Sequence, residues 1–177
     1  MIIAGIGSRD TPLKGLNDIK KVAAYVVGRD GWIRSGHAEG ADTAFEQAAG
    51  DRCIVYVPWG NFGNKYHTQN IVNYSMVGRD LAHKAMTETS KYHPAWDNLK
   101  QSIRKLMARN WMQIYGTRDV KVDAVVCWAR TDKKGDIMGG TGQACRIAQA
   151  AGIPIYNLYN MSAEEVIGNL ERIADDN

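Results

Sequence analysis

Three short runs in this sequence combine glycine with hydroxyl and charged side chains: Gly5-Ile6-Gly7-Ser8-Arg9, Ser35-Gly36-His37-Ala38-Glu39-Gly40-Ala41-Asp42 and Gly139-Gly140-Thr141-Gly142-Gln143. Glycine lets backbone approach a ligand closely, and N–H groups at a helix start attract phosphate. Ser8, Ser35 and Thr141 would add hydroxyl donors, and Arg9 a positive charge. A single glycine pair is equally well explained by a tight turn without a ligand. Three loops of the same make, each between an apolar run and a helical one, point to a shared anionic ligand. The spacing is neither G-x-G-x-x-G with an acid some twenty residues on nor G-x-x-x-x-G-K-[ST]. A standard dinucleotide fingerprint and P-loop phosphoryl transfer are therefore not indicated.

Glu39 and Asp42 are the carboxylates within these loops. N-glycosidic cleavage needs a carboxylate to activate water or steady an oxocarbenium-like centre, which makes Glu39 the catalytic candidate. Asp42 suits a ribose hydroxyl or a backbone contact, or can cap its helix. His37 suits phosphate binding or acid/base work, with an exposed loop histidine of no chemical role as the alternative. Cys53, Cys127 and Cys145 form no C-x-x-C pair, and the first two lie in apolar strand-like runs. They read as reduced core thiols, with neither a metal site nor a cofactor expected.

The elements that must position these loops are legible. Ile2 to Ile6 reads as a buried strand, and Thr11-Pro12 as the N-cap and first turn of a helix carrying Leu13, Leu16, Ile19, Ala23, Val26 and Val27, with Gly28 to stop it. Trp32 to Arg34 is a strand, 41–49 a helix and Cys53 to Val57 a strand ending at Pro58. After residue 118 follow a strand at 124–128, a loop at 129–140, a helix at 141–151, a strand at 153–158 and a last helix from Ser162, where Ser162 and Glu165 make a capping box. Strands alternating with helices predict an α/β, Rossmann-like, doubly wound and mostly parallel sheet, with its ligand crevice where strand order reverses. At 177 residues, 45% hydrophobic and 23% charged, the chain suits one domain. No apolar stretch approaches the ~20 residues of a bilayer span, so a cytoplasmic protein with no membrane partner is expected.

Residues 60–118 break the rhythm and read as a helical basic insertion. Residues 61–118 hold nine Lys/Arg against three acids, an excess of six positive charges that leaves the rest of the chain at −3. This favours an anionic partner, against the plainer reading of a solvated face. Trp96, Leu99, Ile103, Leu106 and Ile114 share a helical stripe, and Asn110 falls within it, where its amide needs a partner, either a tie to the sheet or a ligand. Lys100, Arg104, Lys105 and Arg109 flank the stripe; Arg109, off the stripe beside Lys105, is expected to be free to reach phosphate. Trp59, Phe62 and Tyr66 could stack on a base, with core packing the competitor for Trp59.

The segments IGSRDTP, RSGHAEGADTAFEQAA and GGTGQACRIAQAAGIPIYNL resemble the three signature segments of the SLOG superfamily, which includes the DNA-processing DprA/Smf proteins and the LOG cytokinin-activating hydrolases. HPAWDNLKQSIRKLMARNWMQIYG resembles a further segment of short phage-type DprA-like proteins related to YspA/YpsA. The resemblance implies a Rossmann-like sheet that binds a nucleotide or a nucleic-acid phosphate across these loops. The expected ligand contacts are Gly7, Ser8, Arg9, Ser35, Gly36, Gly40, Asp42, Arg109, Gly139, Gly140, Thr141, Gly142 and Gln143. LOG hydrolases carry a glutamate three residues after the threonine of G-G-x-G-T, whereas this chain reads GGTGQACR, with Gln143 after the second glycine pair and Arg146 where that glutamate would fall. His37 stands where relatives often have glycine. The expected partner is a nucleotide or single-stranded nucleic acid, and the expected form a homo-oligomer. An N-glycosidase using Glu39 and a sensor for an NAD-derived nucleotide are the competing functions.

Overall fold

The computed structural model describes residues 1–64 and 70–175. Six strands, β1 (Ile2–Gly7), β2 (Trp32–Ser35), β3 (Cys53–Val57), β4 (Ile71–Asn73), β5 (Ala124–Trp128) and β6 (Ile155–Asn157), form one sheet in the order β4-β3-β2-β1-β5-β6. Every pairing is parallel. Successive side chains of a strand face opposite ways, so a parallel sheet buried on both sides must be apolar at nearly every position. In β5 all five residues are buried: Ala124, Val126 and Trp128 join the core on one face, and Val125 and Cys127 the core on the other.

The first face is covered by α1 (Leu13–Gly28), α2 (Ala41–Ala49) and α6 (Ala163–Asp175), through Ile19, Val22, Phe45, Val166 and Leu170. Gly5 has no side chain because Phe45 lies flat on the strand there; a Cβ would meet its ring at 2.5 Å. The second face is covered by α3 (Arg79–Ser90), α4 (Gln101–Tyr115) and α5 (Gly139–Ala150), through Ala85, Trp111, Met112, Ala144 and Ile147. The three cysteines are buried and free; burial pushes the Cys53 thiol up to about 12, and a hydrogen bond with the Cys145 thiol, together with burial, holds the Cys127 thiol well above its ordinary range.

The structure corrects several expected boundaries. Thr11 is not a side-chain cap for α1: its hydroxyl donates to the Ser8 carbonyl at 2.7 Å, and Pro12 holds the cap position. Gly28 is the last helical residue rather than the stop. The chain leaves through Asp30, at φ 58°, and the Gly31 N–H returns to the Val26 carbonyl at 2.9 Å. The strand expected at 153–158 shortens to β6, because Pro154 cannot donate to the ladder and offers only its carbonyl to Val125. The Ser162–Glu165 capping box forms as expected, Ser162 N–H to Glu165 at 2.7 Å and Glu165 N–H to Ser162 Oγ at 3.2 Å.

The segment 60–118 does more than decorate the sheet. It supplies the edge strand β4, and the second half of α4 is buried at every residue from Ala108 to Ile114. Trp96 and Leu99 of the expected stripe lie before α4, Trp96 in a short turn of 3-10 helix. At its far end α4 stops at Gly116, φ 68°, and the buried Arg34 of β2 donates to the Ile114 and Val120 carbonyls at 3.3 and 2.7 Å. A cation at a helix C-terminus satisfies carbonyls the helix cannot.

Candidate functional site

Strand order reverses at β1, between β2 on one side and β5 on the other, and a cavity of about 570 Å³ opens at the carboxyl ends of the strands there. Such crevices are the ligand sites of open α/β sheets. One wall is the chain leaving β1: Gly7, Ser8, Arg9 and Asp10. The opposite wall is the start of α5: Met138, Gly139, Gly140 and Thr141. The floor is built by Asp42 of α2 with Arg109, Asn110 and Gln113 of α4, and Phe62, Leu106 and Met107 give it an apolar side.

The expected site residues fall into two groups. Gly7, Ser8, Arg9, Asp42, Arg109, Gly139, Gly140 and Thr141 line the cavity; Ser35, Gly36, Glu39, Gly40, Gly142 and Gln143 do not. Ser35 is fully buried, and its hydroxyl donates to the carbonyls of Gly5 at 2.7 Å and Asp42 at 3.1 Å. Gly36, Gly40 and Gly142 are glycines for protein packing, since a Cβ there would meet Arg109, the Ser8 carbonyl and the Ile137 carbonyl respectively within 2.5 Å. Gly140 differs: a Cβ would meet nothing nearer than Met107 Cε at 3.8 Å, and Gly139, at φ 67°, faces open space. Packing therefore leaves Gly140 without a reason to be glycine, and close approach of a ligand supplies one. Helix α5 begins two residues earlier than expected, so Gly139, Gly140 and Thr141 form its first turn, whose N–H groups have no acceptor within the helix.

Arg109 is not on a solvated face. It is 4% exposed and lies 3.6 Å from Asp42 Oδ2, with its guanidinium over the Phe62 ring at 5.6 Å and its Nε without a partner among the described residues. The sequence reading missed this because α4 is enclosed by the sheet, α3 and α5 together, so a helical wheel with one buried stripe does not apply. Asp42 Oδ1 accepts the Gly7 N–H at 3.0 Å, the backbone contact expected of it. Burial drives the Asp42 carboxyl up to about 6, outweighing Arg109 and the N–H groups of Gly7 and Ala38, which pull it down; burial also lowers the pKa of Arg109.

A chain of side-chain amides joins this pair to α5. In the orientation that satisfies its neighbours, Gln113 accepts from Arg109 at 3.2 Å and from the Gly36 N–H at 2.9 Å, and donates to Asn110 Oδ1 at 3.1 Å. Asn110 Nδ2 in turn donates to Gln143 Oε1 at 2.9 Å and to the Gly140 carbonyl at 3.2 Å. Asn110 is thus both the tie to neighbouring structure and part of the cavity lining. Gln143 is wholly buried and serves this chain from behind the cavity.

The remaining candidate residues take varied places. His37 is 5% exposed and its Nδ1 lies 2.5 Å from Glu46 Oε2, so it is a buried, paired residue; its φ of 60° is the left-handed conformation that suits glycine. Glu39 is exposed and is not among the residues that line the cavity, although its neighbour Ala38 is. Arg146 donates to the Tyr92 carbonyl at 3.0 Å. Arg104 is engaged with the carbonyls of Trp96 and Asp97 at 3.2 and 3.0 Å. Trp59 packs partly buried against Phe62 at 5.5 Å, whereas Phe62 reaches the cavity; Tyr66 lies outside the described residues. Arg130 and Met138, not among the expected contacts, also line the cavity, and so does Phe62, the expected stacking residue. Loop length around Arg130 hides its return to the crevice in the sequence.

The fold and crevice together define a doubly wound, Rossmann-like α/β protein whose six strands are all parallel. No protein-family model and no curated protein matches the sequence. Among solved structures the chain is similar to DNA processing protein A from Helicobacter pylori, described for its single-stranded DNA binding mode, with a TM-score of 0.59 at 18% identity over 97% of this chain and 80% of that one. The likeness establishes a DprA-like fold. Among the described residues no helix is long and apolar enough to cross a membrane, and no three His, Cys, Asp or Glu side chains gather as a metal site.

Proposed function

We propose that the crevice binds the phosphate of a nucleotide within single-stranded nucleic acid, as a DprA-like protein of the SLOG group acting in DNA processing. The observation that carries this reading is the opposition of the open first turn of α5 at Gly139–Thr141 to Ser8 and Arg9 across a floor holding the buried Arg109. Three arginines, Arg9, Arg109 and Arg130, line the space against two aspartates, Asp10 and Asp42. An anion there meets N–H groups, helix dipole and guanidinium together. The apolar side formed by Phe62, Leu106 and Met107 suits the face of a base. The DNA processing protein A neighbour, which binds single-stranded DNA, supports a polynucleotide over a free nucleotide.

The glycosidase reading through Glu39 finds no support, since that carboxylate is exposed and outside the lining. Titrating a fluorescent single-stranded oligonucleotide, with nucleoside monophosphates and ADP-ribose as competitors, tests the proposal across a salt series. Oligonucleotide binding that weakens steeply with salt supports it. Tight, nearly salt-independent binding of one small nucleotide would replace it with the sensor reading, and no binding by any of them would refute both.

A further inference from the structure

The cavity-facing residues of α4 do not end at the cavity. Gln113, Asn110 and Met107 line it at helical spacing, and the same face continues towards the helix start through Ile103, with Arg104 beside it, to Lys100. Ile103 is 38% exposed and offers apolar surface on this face, and Lys100 is exposed at the cap position. Beside them the turn Trp96–Asn98 is pinned by Arg104, whose guanidinium bonds two of its carbonyls and stacks on the Trp96 ring at 5.6 Å, while His93 stands edge-on to that ring at 6.4 Å. Between residues 92 and 108 Asp97 is the one acid, against Lys100, Arg104 and Lys105. From Met107 to Lys100 is roughly 10 Å along the axis, beyond a mononucleotide seated against Gly140.

We propose that this strip, Ile103, Arg104, Lys100 and Trp96, is a second contact surface on which a single-stranded polynucleotide continues after its phosphate enters the cavity, with Trp96 stacking a base and Lys100 pairing a phosphate. The inference rests on the cavity reading and adds the path of the strand beyond the cavity, which requires a ligand several nucleotides long. A strand offers what the strip lacks, a repeated anion and flat apolar faces, and the fixed guanidinium behind Trp96 holds the indole in one orientation so that little freedom is lost on stacking.

The experiment compares thymidine monophosphate, a trinucleotide and a decanucleotide on wild type, Trp96→Ala and Lys100→Gln, by anisotropy or calorimetry. In wild type the decanucleotide should bind at least thirtyfold tighter than the trinucleotide, above the roughly eightfold that its extra registers supply. Trp96→Ala should weaken the decanucleotide at least fivefold, and Lys100→Gln, an exposed change that leaves folding intact, should lower its salt slope by about 0.7. Monophosphate affinity should stay within twofold in both. A wild-type ratio explained by registers alone, or variants that keep the full ratio and slope, would overturn the strip while leaving the cavity reading in place. Failure of all three ligands to bind would instead remove the cavity reading and the strip with it.

Discussion

Gly140→Asp tests the phosphate wall most directly, because its effects on folding and on binding have opposite signs. The site accepts a side chain: the nearest atom to an added Cβ is Met107 Cε at 3.8 Å, ordinary van der Waals contact. Asp in the first turn of the 12-residue helix α5 meets the positive end of the helix dipole, a gain of about 0.3–1 kcal/mol, so the midpoint in urea should hold or rise. A phosphate in the crevice would then lie some 5 Å from the new carboxylate, where two like charges repel by about 3 kcal/mol at an effective dielectric constant near 20. Even after solvent and side-chain relaxation halve that figure, about 1.5 kcal/mol remains, a tenfold loss of affinity. Gly140→Asn, of the same size without the charge, separates bulk from repulsion and should lose clearly less. Anisotropy titration with a single-stranded oligonucleotide reads affinity, and urea unfolding reads the fold. A folded Gly140→Asp that binds as wild type would refute the reasoning and take the start of α5 out of the site.

The buried pair gives two further expectations and the exposed glutamate a third. Arg109→Ala leaves the Asp42 carboxylate buried without its partner and should destabilise the fold by about 3–5 kcal/mol, whereas Lys105→Ala should stay within about 0.5 kcal/mol; equal effects in urea unfolding would contradict the burial assigned to Arg109. The Asp42 carboxyl stands near 6 in the folded state against 3.8 as its ordinary value, so the folded protein holds the extra proton between them and stability falls as pH rises through that window. The stability of wild type relative to Asp42→Asn should accordingly drop by up to about 3 kcal/mol from pH 4 to pH 7, and a difference that is flat or rises with pH would count against it. Glu39→Gln should bind as wild type, and neither protein should release free base from nucleoside monophosphates; base release that vanishes in the variant would promote the hydrolase reading.

The fold was legible where one rule governed a segment. The run Cys53 to Val57 and the run Ala124 to Trp128 are buried on both faces, so every position had to be apolar and their ends could be read to the residue. The helix Ala41–Ala49 was likewise bounded by Gly40 and Gly50. The edge strand Ile71–Asn73 was not legible, being three half-buried residues without a flanking turn pattern. Within the candidate site, the residues read from glycine spacing divide by what their missing side chains make room for. At Gly36 it is Arg109, at Gly142 a carbonyl, and at Gly140 nothing closer than Met107 at 3.8 Å. Sequence spacing cannot distinguish those three cases, because each asks for the same residue type and they differ only in what the fold brings opposite.

The position of Arg109 bears on why so polar a helix lies inside the protein. Between Ala108 and Ile114, α4 buries Arg109, Asn110 and Gln113 alongside Trp111 and Met112, and a well-packed apolar alternative would avoid the desolvation that these groups suffer. Their bonds run one way, from the Asp42–Arg109 pair through Gln113 and Asn110 to the Gly140 carbonyl, so they join the floor of the crevice to its wall at the start of α5. A charge pair held at 3.6 Å, with the guanidinium Nε still without a partner, is not the arrangement that best stabilises either ion. An anion entering the crevice that Arg109 lines would add an acceptor for its guanidinium, and the amide chain would hold Gly140 in place against the same ligand. On that account part of the free energy missing from the unliganded fold returns on binding, and ligand should raise the unfolding midpoint of wild type more than that of Asn110→Ala, in which the wall is no longer tied to the floor.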